Sequence, residues 1–291
     1  MEEREMRYFV AVAEEGNIGR AAQRLGIAQP PLSRALQLME RRLGADLLVR
    51  TPRGVELTTP GEVFLRESRA ALDAVDAAER RTRRAVERPG AVVLAVKAGV
   101  ATELLGRLLD AHAATAGASP VDLLLTEFGD SEPALRDGRA DVALLHLPLD
   151  GAAGLDHVVV GSEDLVALLP ARHPLTAREA VTLAEVAALP DLPPPRWRSP
   201  DGTVPHGPGP LVRDQVQLAQ LVALGRTAAI VPRSCARSAP TLVDGVGRGV
   251  GVVTVMDAAP LTVVLAWPGH GTAAGVRRLV DTAVTVSGVD A

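Results

Sequence analysis

The chain of 291 residues has one cysteine, Cys235, and one lysine, Lys97. A single thiol excludes an intramolecular disulfide and any cysteine-rich zinc site. Aromatic residues make up only 2%, too few for a surface that stacks single-stranded bases. No apolar run reaches the roughly 18 residues of a membrane span, so no membrane partner is expected. The histidines, at positions 112, 146, 157, 173, 206 and 270, are not spaced as metal ligands. There is no Gly-x-Ser-x-Gly elbow and no phosphate-binding loop. The alternating Gly245, Gly247, Gly249 and Gly251 lack a strand-to-helix context and read as a turn. Cys235 has no evident base partner and reads as an inert thiol. No catalytic residue, bound metal or cofactor is therefore expected.

What is present is the balance of a soluble globular protein, 47% hydrophobic and 23% charged. The net charge of −4 is not that of a typical nucleic-acid binder, but a small basic surface can sit on a larger acidic protein. The start, Glu2-Glu3-Arg4-Glu5, is unlike a secretory signal, and the cytoplasm is the expected compartment.

Residues 1–58 read as three short helices and a hairpin. Met6, Phe9, Val10, Val12 and Ala13 form a first apolar stripe at near-helical spacing, ended by Gly16. Asn17 is placed to cap a second helix that Gly26 breaks. A third runs from about Gln29 to Leu43, with Pro30 and Pro31 in its first turn, where proline is tolerated. It buries Leu32, Leu36, Met39 and Leu43 and turns Gln29, Pro30, Pro31, Ser33, Arg34, Gln37 and Arg41 outward. Such a helix, its N-terminus aimed into the major groove, lets Gln reach adenine and Arg reach guanine. Arg50 and Arg53 flank the turn of the hairpin and are placed for phosphates or a narrow minor groove. Together these elements read as a winged helix-turn-helix.

A longer helix is predicted from Thr59 to about Arg88, with Thr59 as cap, Pro60 in the first position and Glu62 completing a capping box. Phe64, Ser68, Ala71, Val75, Ala78, Thr82 and Ala85 follow a 4-3 spacing, a seam that pairs with a copy of itself or packs on its own domain. From Ala91 onward strands alternate with helices, which predicts a mainly parallel α/β sheet. Pro190 to Pro210 is rich in Pro and Gly and reads as a long loop.

One ordered set of residues carries a family resemblance. The run from Ala21 to Arg34, AAQRLGIAQPPLSR, followed by Met39-Glu40, Leu43-Gly44, Leu47, Arg50 and Leu57-Thr58, resembles the LysR-type transcriptional regulators. With the capping-box helix it covers about the first 88 residues. Leu135 to Ala143 (LRDGRADVA), and Leu221 to Gly225 through Ile230-Val231-Pro232, are similar to that family's effector domain more loosely. Gly19-Arg20 departs from it, since a Thr or Ser often precedes the basic residue.

The resemblance implies an α/β protein in three parts: a winged helix-turn-helix over 1–58, a linker and dimerisation helix over 59–89, and an effector-binding domain over 90–291. That domain would have two lobes, like the periplasmic binding proteins. Lobe one would hold 90–162 and 267–291, and lobe two 163–266. The implied partners are double-stranded DNA, a small-molecule effector bound between the lobes, other copies in a homodimer or homotetramer, and RNA polymerase. Ligands in such folds sit at strand C-termini and helix N-termini. This singles out Lys97, Ala98, Gly99 and Thr102, then Gly129 and Ser131, then His146, with Thr203 in the long loop. A lone lysine beside free helix amides suits an anionic effector; the alternative is an exposed strand-end charge. A transport-type solute-binding protein and a regulator without a ligand are the other readings of the second half.

Overall fold

The computed structural model describes residues 1–52, 54–199, 203–237, 249–269 and 273–287. It divides into two compact units, the first of Met1–Thr82 with Arg136–Gly138 and the second of the rest.

Unit 1 begins with α1 (Glu3–Glu15), α2 (Ile18–Leu25) and α3 (Gln29–Leu43). Each ends at a glycine in the left-handed region, Gly16, Gly26 and Gly44 at φ 56°, 67° and 69°, where only glycine is unstrained. Asn17 caps α2 as expected, accepting from the Arg20 N–H at 3.0 Å. The core is Phe9, Val12, Ile18, Ala21, Leu32, Leu36, Met39 and Leu47. Leu43, expected inside, is 42% exposed; it lies in the last turn of α3, where the helix has passed the core.

The hairpin is β1 (Leu48–Thr51) with β2 (Gly54–Leu57), antiparallel. The Glu40 carboxylate accepts the N–H groups of Leu47 and Leu48 at 3.0 and 3.2 Å, which ties α3 to the hairpin. Helix α4 (Thr59–Glu87) follows. Its cap is Thr58, one residue earlier than expected. The Thr58 hydroxyl accepts from the Gly61 N–H at 3.0 Å and donates to the Asp46 carbonyl at 2.7 Å. Within unit 1, α4 meets α1 through an edge-to-face pair, Phe9 and Phe64, with centroids 4.9 Å apart, worth about 0.5–1.5 kcal/mol beyond burial. Arg69–Glu14 and Arg7–Asp76, at 2.9 and 2.7 Å, flank it. A Cβ at Gly61 would lie 2.0 Å from the Leu47 carbonyl oxygen. Gly61→Ala is therefore expected to destabilise unit 1 by about 1–3 kcal/mol through overpacking, read as a lower urea midpoint of helical circular dichroism.

Unit 2 holds two sheets. The larger has the order β4 (Val121–Thr126), β3 (Val92–Lys97), β5 (Val142–Leu147), β13 (Leu261–Pro268), β6 (Leu155–Glu163). Strands β4, β3 and β5 are parallel, whereas β13 runs antiparallel to both neighbours. The smaller sheet has the order β11 (Ala229–Pro232), β7 (Leu165–Pro170), β12 (Val250–Val255), β8 (Ala180–Val181), and β7 is antiparallel to both β11 and β12. The sheets are thus mixed rather than mainly parallel. The alternation of strands with helices was legible, but a strand entering a sheet without a crossover helix can run either way.

Side-chain alternation explains the continuous apolar strands. Leu94, Val96, Leu144, Leu265, Val166 and Leu168 enter one cluster that spans both sheets. Ala95, Ala143, Leu145 and Val264 face a second cluster, and Ala167 and Leu169 a third. Helices α5 (Thr102–Ala113) and α10 (Ala274–Ser287) lie on the larger sheet, with α8 (Gln215–Ala223) on the smaller. Short helices α6 (Ser131–Arg136), α7 (Leu183–Ala187) and α9 (Arg233–Arg237) complete the unit, with a two-stranded piece, β9 (Arg196–Trp197) beside β10 (Leu211–Val212).

The chain leaves the larger sheet at Glu163, close to the expected crossover at Ser162. The return differs. Strand β13 already pairs with β5 and β6 from Leu261, so residues 261–266, expected in lobe two, belong to the larger sheet. An apolar run carries no mark of the sheet it joins. Strand β6 itself was not expected; it is an edge strand of mostly exposed or half-buried residues, without an apolar signature.

Candidate functional site

The outward face of α3 is built by its own periodicity. Burying Leu32, Leu36 and Met39 leaves Gln29, Pro30, Pro31, Arg34 and Gln37 exposed and Ser33 half-buried. Arg7, Arg24, Arg42 and Arg69 are tied to carboxylates on α1 or α4. Arg34 differs: it reaches only the Pro30 carbonyl, at 3.5 Å. Among the described residues neither Arg34 nor Arg50 makes an ion pair, and Arg50 is exposed on β1. Among the described residues of unit 1, arginines without an ion pair therefore lie on α3 and the hairpin. Arg53 lies outside the described residues, as do residues 245–248 of the glycine-rich turn.

In unit 2 a cavity of about 550 Å³ opens between elements of the two sheets. Lys97, at the end of β3, lies on its floor, 6% exposed. Its ammonium is paired with Asp150. Asp150 Oδ2 also accepts the His146 N–H at 2.7 Å. The charge of Lys97 is thus matched inside the protein, contrary to the expectation of a free cation awaiting an anion. One wall carries Phe128 against Trp197, ring centroids 4.5 Å apart. Gly129, at φ 81°, lets the Arg198 carbonyl oxygen approach to 2.4 Å from where a Cβ would stand, so only glycine fits there.

The expected effector residues divide. Lys97 and Gly129 line this cavity. Thr102 lines a second cavity of about 400 Å³, beside Arg107 and Glu163. Ala98, Gly99, Ser131, His146 and Thr203 line neither. Ser131 is buried and hydrogen-bonded to Thr126 at 2.7 Å. Thr203 is exposed, and its carbonyl accepts from Ser199 at 2.8 Å. The buried ring of His146 bonds the Glu163 carboxylate through Nε2 at 3.0 Å, and its Nδ1 has no partner among the described residues. Glu163 in turn accepts the Ser234 N–H on α9, and the Ser234 hydroxyl accepts from the Ala101 N–H at 2.9 Å. Asp150, Phe128 and Trp197 were missed. Scarcity was the usable signal, since the chain has only three Phe and two Trp.

Cys235 is fully buried on α9. Burial pushes its thiol up to about 12, Glu163 adds to the shift and Lys97 opposes it. A thiol held protonated does not react. Native protein at pH 8 is expected to resist iodoacetamide at Cys235, and protein in urea to be labelled; rapid native labelling would show that α9 opens.

Residues 4–62 match the family described as bacterial regulatory helix-turn-helix protein, lysR family, and residues 86–287 match the LysR substrate binding domain. Similar curated proteins include the HTH-type transcriptional regulators YnfL of Escherichia coli, 38% identical, and AlsR of Bacillus subtilis, 35% identical. Those alignments span 65% and 64% of this chain, and 64% and 62% of the relatives, so a little under two thirds of each relative is matched. TfdT of Cupriavidus pinatubonensis is 54% identical over 85 residues, 29% of this chain and 37% of that protein. Among solved structures, the LysR family regulator CbnR shares the fold with a TM-score of 0.57 and 22% identity, over 99% of both chains. Corynebacterium glutamicum OxyR does so with a TM-score of 0.51 and 22% identity, over 98% of this chain and 92% of that one. With one family description on the helix-turn-helix and the other on the two-sheet unit, the chain belongs to the LysR family of bacterial regulators.

Proposed function

We propose that the protein is a cytoplasmic transcriptional regulator, not an enzyme, whose binding or bending of double-stranded DNA responds to a small molecule held in the 550 Å³ cleft. The observation that carries the DNA half is the free cationic face of α3 and the hairpin. Gln29, Pro30, Pro31, Ser33, Arg34 and Gln37 enter the major groove, and Arg50 and Arg53 hold the flanking backbone. The functional parts are 1–58 for DNA, 59–89 as linker, and 90 onward for the effector, with the return to lobe one at 261. The linker presents Val75, Ala78, Thr82 and Ala85, all exposed in the single chain. A second copy seated on that seam makes the homodimer, and two dimers make a homotetramer. Effector closure of the cleft then alters the spacing of the DNA-binding pairs and the access of RNA polymerase.

The test is a footprint on the DNA upstream of the protein's own gene, at stated salt. Paired half-sites on one face of the duplex are expected. Failure to bind any DNA at low salt would overturn the proposal. Arg34→Ala is expected to weaken specific binding by about 1–3 kcal/mol and to relax base preference. An equal loss on specific and random DNA would reduce Arg34 to a phosphate contact.

A further inference from the structure

The chemistry of the cleft floor bears on what the cleft takes. Lys97 and Asp150 are 6% and 7% exposed. They compensate each other's charge. Their hydrogen-bonding capacity is not exhausted. An ammonium has three donors and a carboxylate two acceptor oxygens. Asp150 Oδ2 takes both Lys97 and the His146 N–H. Among the described residues Asp150 Oδ1 accepts nothing, and Lys97 donates only to Asp150. The floor therefore offers, side by side, spare N–H donors and one acceptor oxygen, with no net charge.

Above the floor the walls are apolar, with Val100, Phe128, Leu149, Trp197 and Ile230 among them. The lining arginine Arg196 is held by its own loop, donating to the Gly209 carbonyl at 2.7 Å and the Pro205 carbonyl at 3.4 Å, and its charge sits in the wall rather than on the floor. A carboxylate arriving at Lys97 meets the Asp150 carboxylate on the same ammonium, and at the floor it loses its water without gaining an uncompensated cation. An ammonium meets the mirror image of that problem. A neutral group with an acceptor beside a donor satisfies both partners at once.

We propose that the cleft binds an uncharged molecule with a flat, mostly apolar body and one carboxamide-like group, an amide or lactam, set across Lys97 and Asp150. This rests on the cleft being the effector site.

The test uses matched pairs, 2-naphthamide with 2-naphthoate and biphenyl-4-carboxamide with its parent acid, on the full chain near pH 7.5. Binding is read by Trp197 fluorescence, with Trp197→Phe as the control for signal, and by saturation-transfer NMR. Each amide is expected to bind at least tenfold more tightly than its acid. Asp150→Asn frees the Lys97 charge and is expected to reverse the preference. The double variant Lys97→Met with Asp150→Leu is expected to remove it, and serves alone if Asp150→Asn does not fold. Acids binding the native chain as well as amides would overturn the ligand class while leaving the cleft reading intact. Binding of neither series would overturn the cleft reading and the proposal with it.

Discussion

Replacing Asp150 by Asn is expected to cost unit 2 about 3–5 kcal/mol, the range for a buried ion pair that loses one partner. The size follows from burial: the side chains of Lys97 and Asp150 are 7% and 6% exposed. The lost attraction is the smaller part. Most of the cost is a largely buried ammonium left without its counter-ion. Lys97→Met leaves the carboxylate instead and is expected to cost a similar amount, moderated by the His146 N–H that still bonds it at 2.7 Å. Removing both charges with apolar groups of similar volume is expected to restore most of the loss, because no uncompensated charge remains. Both tryptophans, Trp197 and Trp267, lie in unit 2, so urea unfolding followed by their fluorescence reports on that unit. A double-mutant cycle then gives the coupling. Single variants costing under about 1 kcal/mol would place the pair in the class of solvated surface bridges and contradict the burial.

How much of this was legible in the sequence depends on how far apart the interacting residues lie. Helix ends are local. Gly16, Gly26 and Gly44 marked three of them, and each sits at positive φ. The Asn17 cap was read from one residue. Thr58 and Thr59 show the limit of that reading: two adjacent hydroxyls fit the same start, and only the contact from Thr58 to the Asp46 carbonyl decides between them. Strand existence was legible where both faces are covered, as in β3, β5 and β13. It was not legible in β6, whose exposed face dilutes the pattern. Sheet order depends on pairings between distant segments, and no local rule supplies them.

The site divides along the same line. The α3 face followed from helical periodicity alone. The position of Lys97 followed from the end of β3, but its charge balance did not. Asp150 is 53 residues away in sequence, and nothing in its surroundings marks it as a partner. Trp197 comes from the stretch read as loop. That stretch does hold only the two residues of β9 as regular structure between Pro190 and Ser199, yet it lines the cleft. A loop built of Pro, Gly and one Trp makes a wall because prolines fix its path and the ring fills the space.

Glu163→Ala is expected to be the second most damaging change, and its signature is in the pH dependence. Glu163 stands where the chain leaves the larger sheet, and it bonds His146 on β5 with one oxygen and Ser234 on α9 with the other. Burial works to raise its pKa, but hydrogen bonds from His146 and Ser234, with attraction to His146, outweigh it and hold the carboxyl below its usual value. An ionised carboxylate only accepts, so His146 Nε2 carries a proton and donates it to Glu163. Alanine orphans the His146 donor and the Ser234 N–H, at about 1–3 kcal/mol for a buried group, with Ser234 at the low end because it is half-buried. The sign of the pH effect follows from the depressed value. The contribution of Glu163 is complete above the ordinary carboxylate range and disappears as pH falls through its folded pKa. The native chain should therefore lose urea resistance in that acid window, and Glu163→Ala should lose less of it while starting lower at neutral pH. Parallel pH profiles for the two proteins would mean that the carboxylate is not what joins β5 to α9, and that the apolar cluster spanning both sheets holds them together alone.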